Sequence, residues 1–280
     1  MIEKGCLYIV ATPIGNLEDI TQRAVSVLSE VDGIAAEDTR HSKKLLQHLG
    51  IDTPLFAFHE HNEKGTSDSL INRLAKGEAI ALISDAGTPL ISDPGYILVR
   101  QASLAGIKVI PVPGPSSILA ALSCSGLPTD RFVFEGFLPA KTGARQKRLK
   151  ELSLERRTLV LFEAPHRIVT CLKDIQKILG SERETVLARE LTKNYETFLH
   201  GPVETVLEQV EQDSNQERGE IVLLLAGSEK KGDLDEQSIH LFSTLLEELP
   251  LNQASVLAAK ITGLSKKVFY QYGLELKQSD

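Results

Sequence analysis

Short apolar runs alternate with longer stretches of helical periodicity along the first 112 positions. LYIVA (7–11), GIAAE (33–37), PLFAF (54–58), AIALIS (79–84) and KVIPV (108–112) read as strands. Amphipathic patterns near 18–30, 40–49, 65–76 and 94–105 read as the helices between them. Strands apolar at successive positions are covered on both faces, which predicts parallel strands in βα repeats. The style returns at FVFEGF (132–137), TLVLFEA (158–164), TVLARE (185–190) and EIVLLLAG (220–227), with helices near 143–154, 166–180 and 203–212. PGPSSILAALSCSGLPTD (113–130) joins the halves: Pro113 to Pro115 stop a strand and start a helix, and Gly126 to Asp130 turn out of it. After Gly227 a polar connector, SEKKGDLDEQ (228–237), leads to a purely helical segment. There Ala254 and Ala258 share a face, Gly263 marks a turn and Val268 follows five residues later. Those spacings suit either a helix-turn-helix or a plain helical hairpin packed on the body. The predicted fold is therefore α/β: one α/β domain over 1–117, a second over 118–230 and a helical, helix-turn-helix-like module over 238–280.

Composition narrows the class. A chain of 280 residues, 42% hydrophobic and 25% charged, suits two ordinary domains and an appendage. Its longest apolar runs fall well short of the roughly 20 residues that span a bilayer. No basic-then-apolar leader precedes the strand at Leu7. A cytoplasmic protein without a membrane role is expected. Cys6, Cys124 and Cys171 are widely spaced among apolar neighbours, without CxxC or Cys/His pairing, and read as reduced core thiols, not metal ligands. The net charge of −7 argues against a generic nucleic-acid binder. Its distribution is uneven: seven Lys and Arg fall between Lys141 and Arg157, whereas residues 204–220 carry six acids and one Arg.

Several stretches carry candidate chemistry. ISDAGTPLISDPG (83–95) follows a strand, and its glycines admit close ligand approach while Pro89 and Pro94 stiffen the loop. ATPIGNLEDITQRAVSVL (11–28) is strand, small-residue loop and helix, with Asp19 or Thr21 as cap. It contains neither GxGxxG nor GxxxxGK[ST], so the best support for dinucleotide and P-loop sites is missing. Ser116 and Asp93 are placed to cap the helices after them. In AEDTR (36–40), Asp38 or Thr39 can cap a helix whose start, with Arg40, His41, Lys43 and Lys44, is positive enough to suit phosphate. HEHNE (59–63) puts His59 and His61 on one face of an extended segment and Glu60 on the other. It reads as a substrate-handling pair, a solvated loop or, less well for want of a distant ligand, a metal site. Over 141–157 the helical spacing of Lys141, Arg145 and Arg148 is either a solvated face or a phosphate-binding one. Each phosphate contact would steepen the salt dependence of binding by about 0.7–0.9.

ATPIGNLEDIT, AEDTR, ISDAGTPLISDPG and PVPGPSS (111–117), in this order at successive strand ends, resemble the tetrapyrrole-methylase superfamily. EAPHR (163–167), ARELTK (188–193) and GEIVLLL (219–225) narrow the likeness to its bacterial branch that methylates ribosomal RNA, over about residues 5–227. TPIGN and DAGTP stand where the wider superfamily has a glycine-proline-rich loop and Gly-Asp-Pro, which fits that branch better than a corrinoid substrate. The resemblance implies S-adenosylmethionine in a cleft between the two α/β domains. Its contacts would be Pro13, Asp85, Ala86, Gly87, Ser116 and Ser117 from the first, and Glu163, Ala164 and Ala188 from the second. It further implies methylation of a cytidine ribose 2′-hydroxyl in the decoding region of 16S rRNA, presented by the small subunit to a homodimer. In-line transfer to so weak an acid calls for a base or a charged positioning group. The candidates are His59, His61, Asp38 and Arg40. Arg40, Lys43, Lys141, Arg145, Arg148, Arg167 and Lys193 are the expected RNA contacts, and Lys260, Lys266 and Lys267 of the tail are further ones. Arg189 and Glu190 are expected to pair across the cleft. The alternatives are a methyltransferase of corrinoid or porphyrin-like macrocycles, which would need a broad apolar trough, and a non-catalytic RNA-binding factor using the helical tail.

Overall fold

The computed structural model describes residues 2–228 and 236–278. Strands β1 (Leu7–Val10), β2 (Gly33–Ala36), β3 (Leu55–Ala57), β4 (Ile80–Ile83) and β5 (Val109–Val112) form a parallel sheet in the order β3-β2-β4-β1-β5. Every residue of β2 and β4 is buried, as runs apolar on both faces require. Helices α1 (Gln22–Glu30) and α2 (Thr39–His48) cover one face, with Val27, Leu28 and Leu46 packed on Val10, Ile34 and Ile83. Helices α3 (Glu63–Ala75) and α4 (Tyr96–Leu104) cover the other through Leu70, Leu74 and Leu98. Thr21 and Asp38 cap α1 and α2. Asp93 does not cap α4. That helix begins at Tyr96, after Gly95 with φ +132°, and its first amides are held by Glu63, whose Oε1 accepts from Gly95 N at 2.9 Å and Ile97 N at 3.0 Å.

Helix α5 (Ser117–Cys124), capped by Ser116, leaves the first sheet and lies on the second, its Ile118, Ala121 and Leu122 packed against Val160, Val222 and Leu224. The second half runs β6 (Phe132–Phe137), α6 (Thr142–Glu151), β7 (Thr158–Glu163), α7 (Ile168–Leu179), β8 (Glu184–Arg189), β9 (Thr197–Pro202), α8 (Val203–Gln212) and β10 (Ile221–Leu225). Its sheet has the order β6-β7-β10-β8-β9, and only the β6–β7 pair is parallel. The second half is thus no copy of the first. β9, absent from the sequence reading, is a half-exposed edge strand, TFLHGP, without an apolar run to announce it.

Helices α9 (Glu236–Glu248), α10 (Leu251–Thr262) and α11 (Lys266–Gln278) close around Phe242, Ala254, Ala258 and Phe269. Gly263 makes the turn at φ +75°, while the apolar anchor is Phe269, with Val268 only partly covered. Most of the connector expected at 228–237 lies outside the described residues. Cys6 and Cys171 are core thiols, but Cys124 is exposed at the end of α5. Among the described residues no helix is long and apolar enough to cross a membrane.

Candidate active site

The loops after β1, β4 and β5 converge at the carboxyl edge of the parallel sheet, where open α/β sheets bind ligands. Thr12 and Gly87 exchange backbone hydrogen bonds at 2.9 and 3.0 Å, and the Thr88 hydroxyl donates to Pro115 O at 3.1 Å. Gly87 sits at φ +81°, and a Cβ there would press on Ile14 Cγ2 at 3.3 Å. Leu90 at φ +72° and Ser92 at φ +68° are left-handed without being glycine. Such residues cost on the order of 1–2 kcal/mol each, so the surroundings hold this loop in its shape.

Facing these loops are the ends of β6 and β7 and the start of β10. Between the walls lies a cavity of about 470 Å³, within the usual size of small-molecule sites. Ile14, Glu37 and residues 85–88, 91–93 and 116–118 line one side, and Phe137 with residues 162–165 and 219–222 the other. Phe137, 55% exposed, leans on Phe162 at a ring separation of 5.5 Å.

Charge sets the cavity's character. Five carboxylates line it (Glu37, Asp85, Asp93, Glu163 and Glu220), and none of the lining residues is Lys, Arg or His. Two are compensated from behind: Glu163 by Arg167, with Nε 3.0 Å from Oε1, and Glu220 by Lys193 at 3.1 Å. Glu37, Asp85 and Asp93 enter no ion pair among the described residues. Asp85 Oδ1 accepts from Asp38 N at 3.0 Å. Burial, reinforced by Asp85 and only partly offset by the Ser84 hydroxyl, pushes the Asp93 carboxyl up to about 6. Burial, with Asp93 and Asp85 adding to it, also raises Glu37. The cavity therefore favours a ligand bearing positive charge.

A second contact locks the two walls. Gly15 abuts Lys193 Cγ, and a Cβ there would also lie 2.8 Å from Leu191 O. Glu190 and Thr192 take left-handed φ of +51° and +65°, and Lys193 bridges Glu190 at 2.8 Å and Glu220.

The residues singled out in the sequence divide on this geometry. Asp85, Ala86, Gly87, Ser116, Ser117, Glu163 and Ala164 all line the cavity. Pro13 does not; its neighbour Ile14 does. Ala188 is fully buried in the core with Val160 and Val222 and does not line the cavity. Asp38, Arg40, His59 and His61 also lie outside the cavity lining. Asp38 is occupied as the α2 cap, and the Arg40 side chain is 91% exposed. The HEHNE stretch is a tight turn: His59 N donates to Asn62 Oδ1 at 2.8 Å, while His59 Nδ1 is buried without a partner. Arg145 is no phosphate contact, because it is 3% exposed and tied to Asp174 Oδ2 at 2.6 Å. Arg148 is held by Glu135 at 2.6 Å and Glu151 at 2.8 Å, Arg167 by Glu163, and Lys193 as above. Arg189 does not pair with Glu190; it donates to Gln216, Thr197 and the carbonyls of Arg218 and Tyr195. Lys43 and Lys141 are exposed, as are Lys147 and Lys150. Glu37, Asp93, Phe137 and Glu220 were not picked out as site residues. The first two stand inside AEDTR and ISDPG, where the neighbouring helix starts drew attention to capping instead.

The sequence model of the tetrapyrrole (corrin/porphyrin) methylases matches residues 6–207. The chain belongs to this family. The likeness seen in the ordered motifs is thereby upheld, and the protein is a methyltransferase with the family's two sheets. The model of the RsmI C-terminal HTH domain matches residues 232–277, which gives the terminal helices the helix-turn-helix reading over the plain hairpin. Within the family the chain is 54% identical to the ribosomal RNA small subunit methyltransferase I of Pseudomonas aeruginosa, over 97% of both chains. It is 48% identical to the protein of that name from Synechocystis sp., over 98% of this chain and 99% of the relative. Among solved structures it is similar to uroporphyrin-III C-methyltransferase from Thermus thermophilus (TM-score 0.57, 22% identity, 79% of this chain and 94% of that one). A structure of that enzyme complexed with S-adenosyl homocysteine also matches, with a TM-score of 0.55, 21% identity and coverage of 79% and 97%. At such identities the likeness is one of fold.

Proposed function

We propose that the protein transfers the methyl group of S-adenosylmethionine to the ribose 2′-oxygen of a cytidine in the decoding region of 16S rRNA, acting on the small ribosomal subunit in the cytoplasm as a homodimer. The observation that carries this reading is the carboxylate-lined cavity without a cation, in a chain closely similar over its whole length to proteins named for ribosomal RNA methylation. S-adenosylmethionine carries a sulfonium and an ammonium against one carboxylate, so its net charge complements Glu37, Asp85 and Asp93. When bound it supplies an activated methyl group. The chain's share is to hold and align: the 85–88 loop and Ser116 and Ser117 offer backbone groups and hydroxyls, and Ile14, Ile118 and Val222 supply apolar wall. Outside the cavity, the exposed Arg40, Lys43, Lys141, Lys147 and Lys150 suit an RNA backbone, and an acidic protein binds RNA through such local faces. The decisive test is transfer of tritiated methyl to purified small subunits lacking 2′-O-methylation, with naked 16S rRNA and a precorrin as parallel acceptors. Label in the subunits at an alkali-resistant linkage is the expected result. Label in the macrocycle alone would overturn the substrate, and cofactor binding without transfer to any RNA would favour a non-catalytic RNA-binding factor.

A further inference from the structure

The four catalytic candidates suggested by the sequence fall outside the cavity lining, so the ribose hydroxyl needs another proton acceptor. We propose that Asp93, on the wall formed by the loop after β4, is the general base that takes the 2′-hydroxyl proton during methyl transfer. This rests on the methyl-transfer reading above.

Two of the other carboxylates of the cavity are paired, and the remaining two each accept a backbone amide. Glu163 is held by Arg167 and by its neighbour Ala164 N at 2.8 Å. Glu220 is held by Lys193. Asp85 accepts from Asp38 N, and Glu37 accepts from the Asp85 amide. Asp93 has the Ser84 hydroxyl as its hydrogen-bonding neighbour, a donor also within 3.3 Å of Ala86 O. It enters no ion pair among the described residues. Its backbone is fixed on both sides, by Ser92 at φ +68° and by Pro94. A carboxylate so held is preorganised without being neutralised.

Asp85 in its own loop and Glu37 from the end of β2 act on Asp93, and Glu163 and Glu220 line the opposite wall of the same cavity; the lining offers no His, Lys or Arg. Burial and Asp85 hold its carboxyl at about 6, above an ordinary aspartate. It is therefore ionised at neutral pH and a stronger base than a solvated carboxylate, which suits general-base catalysis. The step balances: the 2′-O–H bond breaks, the proton passes to an Asp93 carboxylate oxygen, the hydroxyl oxygen bonds to the methyl carbon, and the carbon–sulfur pair stays on sulfur. Asp93 then releases its proton to solvent.

The test compares wild type with Asp93→Asn and Asp93→Glu in the full-length protein. Methyl transfer to small subunits is followed between pH 5 and 8, affinity for S-adenosylmethionine is measured by calorimetry, and the Asp93 carboxyl is titrated by ¹³C NMR. Expected for Asp93→Asn is a fall in kcat of about 10²–10⁴-fold at saturating S-adenosylmethionine, the range general-base catalysis contributes, with any loss of cofactor affinity no larger than the drop of the Asp93 midpoint on cofactor binding implies. The wild-type fall in kcat/KM below about pH 6 should disappear in this variant and survive in Asp93→Glu, which should keep part of the rate. The NMR midpoint near 6 should drop when the cationic cofactor binds, since the carboxylate shares its cavity. Near-wild-type kcat in Asp93→Asn, an unchanged acid limb, a loss traceable to cofactor affinity alone, or a midpoint indifferent to cofactor would each overturn the proposal while the methyltransferase reading stood. Wild type inactive on every RNA would overturn both.

Discussion

Arg145→Ala should destabilise the protein far more than any other removal of a cation from the basic stretch 141–157. Arg145 and Asp174 are joined at 2.6 Å through both Nε and Nη2, with side-chain exposures of 3% and 9%. Arg145 Nη1 also donates to Ala140 O at 3.1 Å, and Gln146 Nε2 to the second Asp174 oxygen at 2.7 Å. The pair joins α6 and α7, the helices that carry Leu149, Cys171 and Ile175 into the core of the second half. Truncation leaves Asp174 charged among apolar side chains with a single amide for company, and breaking such a pair costs about 3–5 kcal/mol. Arg148 is the internal control. Its bonds to Glu135 and Glu151 lie at a side chain that is 40% exposed, so Arg148→Ala should cost at most about 1 kcal/mol. Urea unfolding followed by circular dichroism at pH 7.5 measures both. Arg145→Met combined with Asp174→Leu should recover most of the loss, because the uncompensated charge is what costs. A single-variant loss below about 1 kcal/mol, or one equal to that of Arg148→Ala, would refute the reasoning and return Arg145 to the surface role its helical spacing suggests.

Two further outcomes follow from the site. Gly15→Val must displace the Leu191 carbonyl, 2.8 Å from the new Cβ, as well as the Lys193 side chain. It should cost about 1–3 kcal/mol in thermal melts and weaken S-adenosylmethionine binding, whereas Gly65→Ala, which meets nothing, should alter neither. Asp93 binds its proton more tightly in the folded state, at about 6, than an unfolded aspartate at about 3.9, so its ionisation erodes stability as pH rises from about 4 to about 6. Solvent screening of this partly covered group limits the penalty to about 1 kcal/mol. Asp93→Asn should therefore be more stable than wild type by about that amount at pH 7.5 and lose the advantage at pH 4. An advantage equal at both pH values would contradict the assignment.

Fully buried strands were legible because their burial is written locally: GIAA and IALI leave no polar face, and both lie inside the first sheet. Pairing partners are not written that way. Nothing in IVLLL says that it lies antiparallel between β7 and β8, and TFLHGP gives no local sign of being a strand. The same limit explains the caps and the basic helix. The spacing of Arg145 and Arg148 on α6 shows that they are neighbours, but not that Asp174 of α7 faces only the first of them. Likewise the acceptor for the α4 amides comes from Glu63, 32 positions before Gly95, instead of from adjacent Asp93. Loop motifs at strand ends were legible as the lining of one cavity because fold topology gathers them at one edge. Ala188, a contact implied by the resemblance, packs in the core and not on the cavity lining, and period-two alternation alone does not say which face of β8 meets the cavity.

The central position of β10 bears on how the chain is made. The parallel sheet has its last strand once Val112 has emerged, so the first half can close while the rest is still being translated. The second sheet cannot. β7 and β8 are not adjacent; each is hydrogen-bonded to β10, so until Leu225 is synthesised the sheet exists only as a β6–β7 pair and a β8–β9 hairpin with open inner edges. Contacts spanning so many residues form slowly, and unpaired edges invite association with other chains. A chain arrested near residue 120 should accordingly be soluble and ordered, whereas one arrested near residue 215 should depend on chaperones, although it is longer and lacks only one strand of the two sheets.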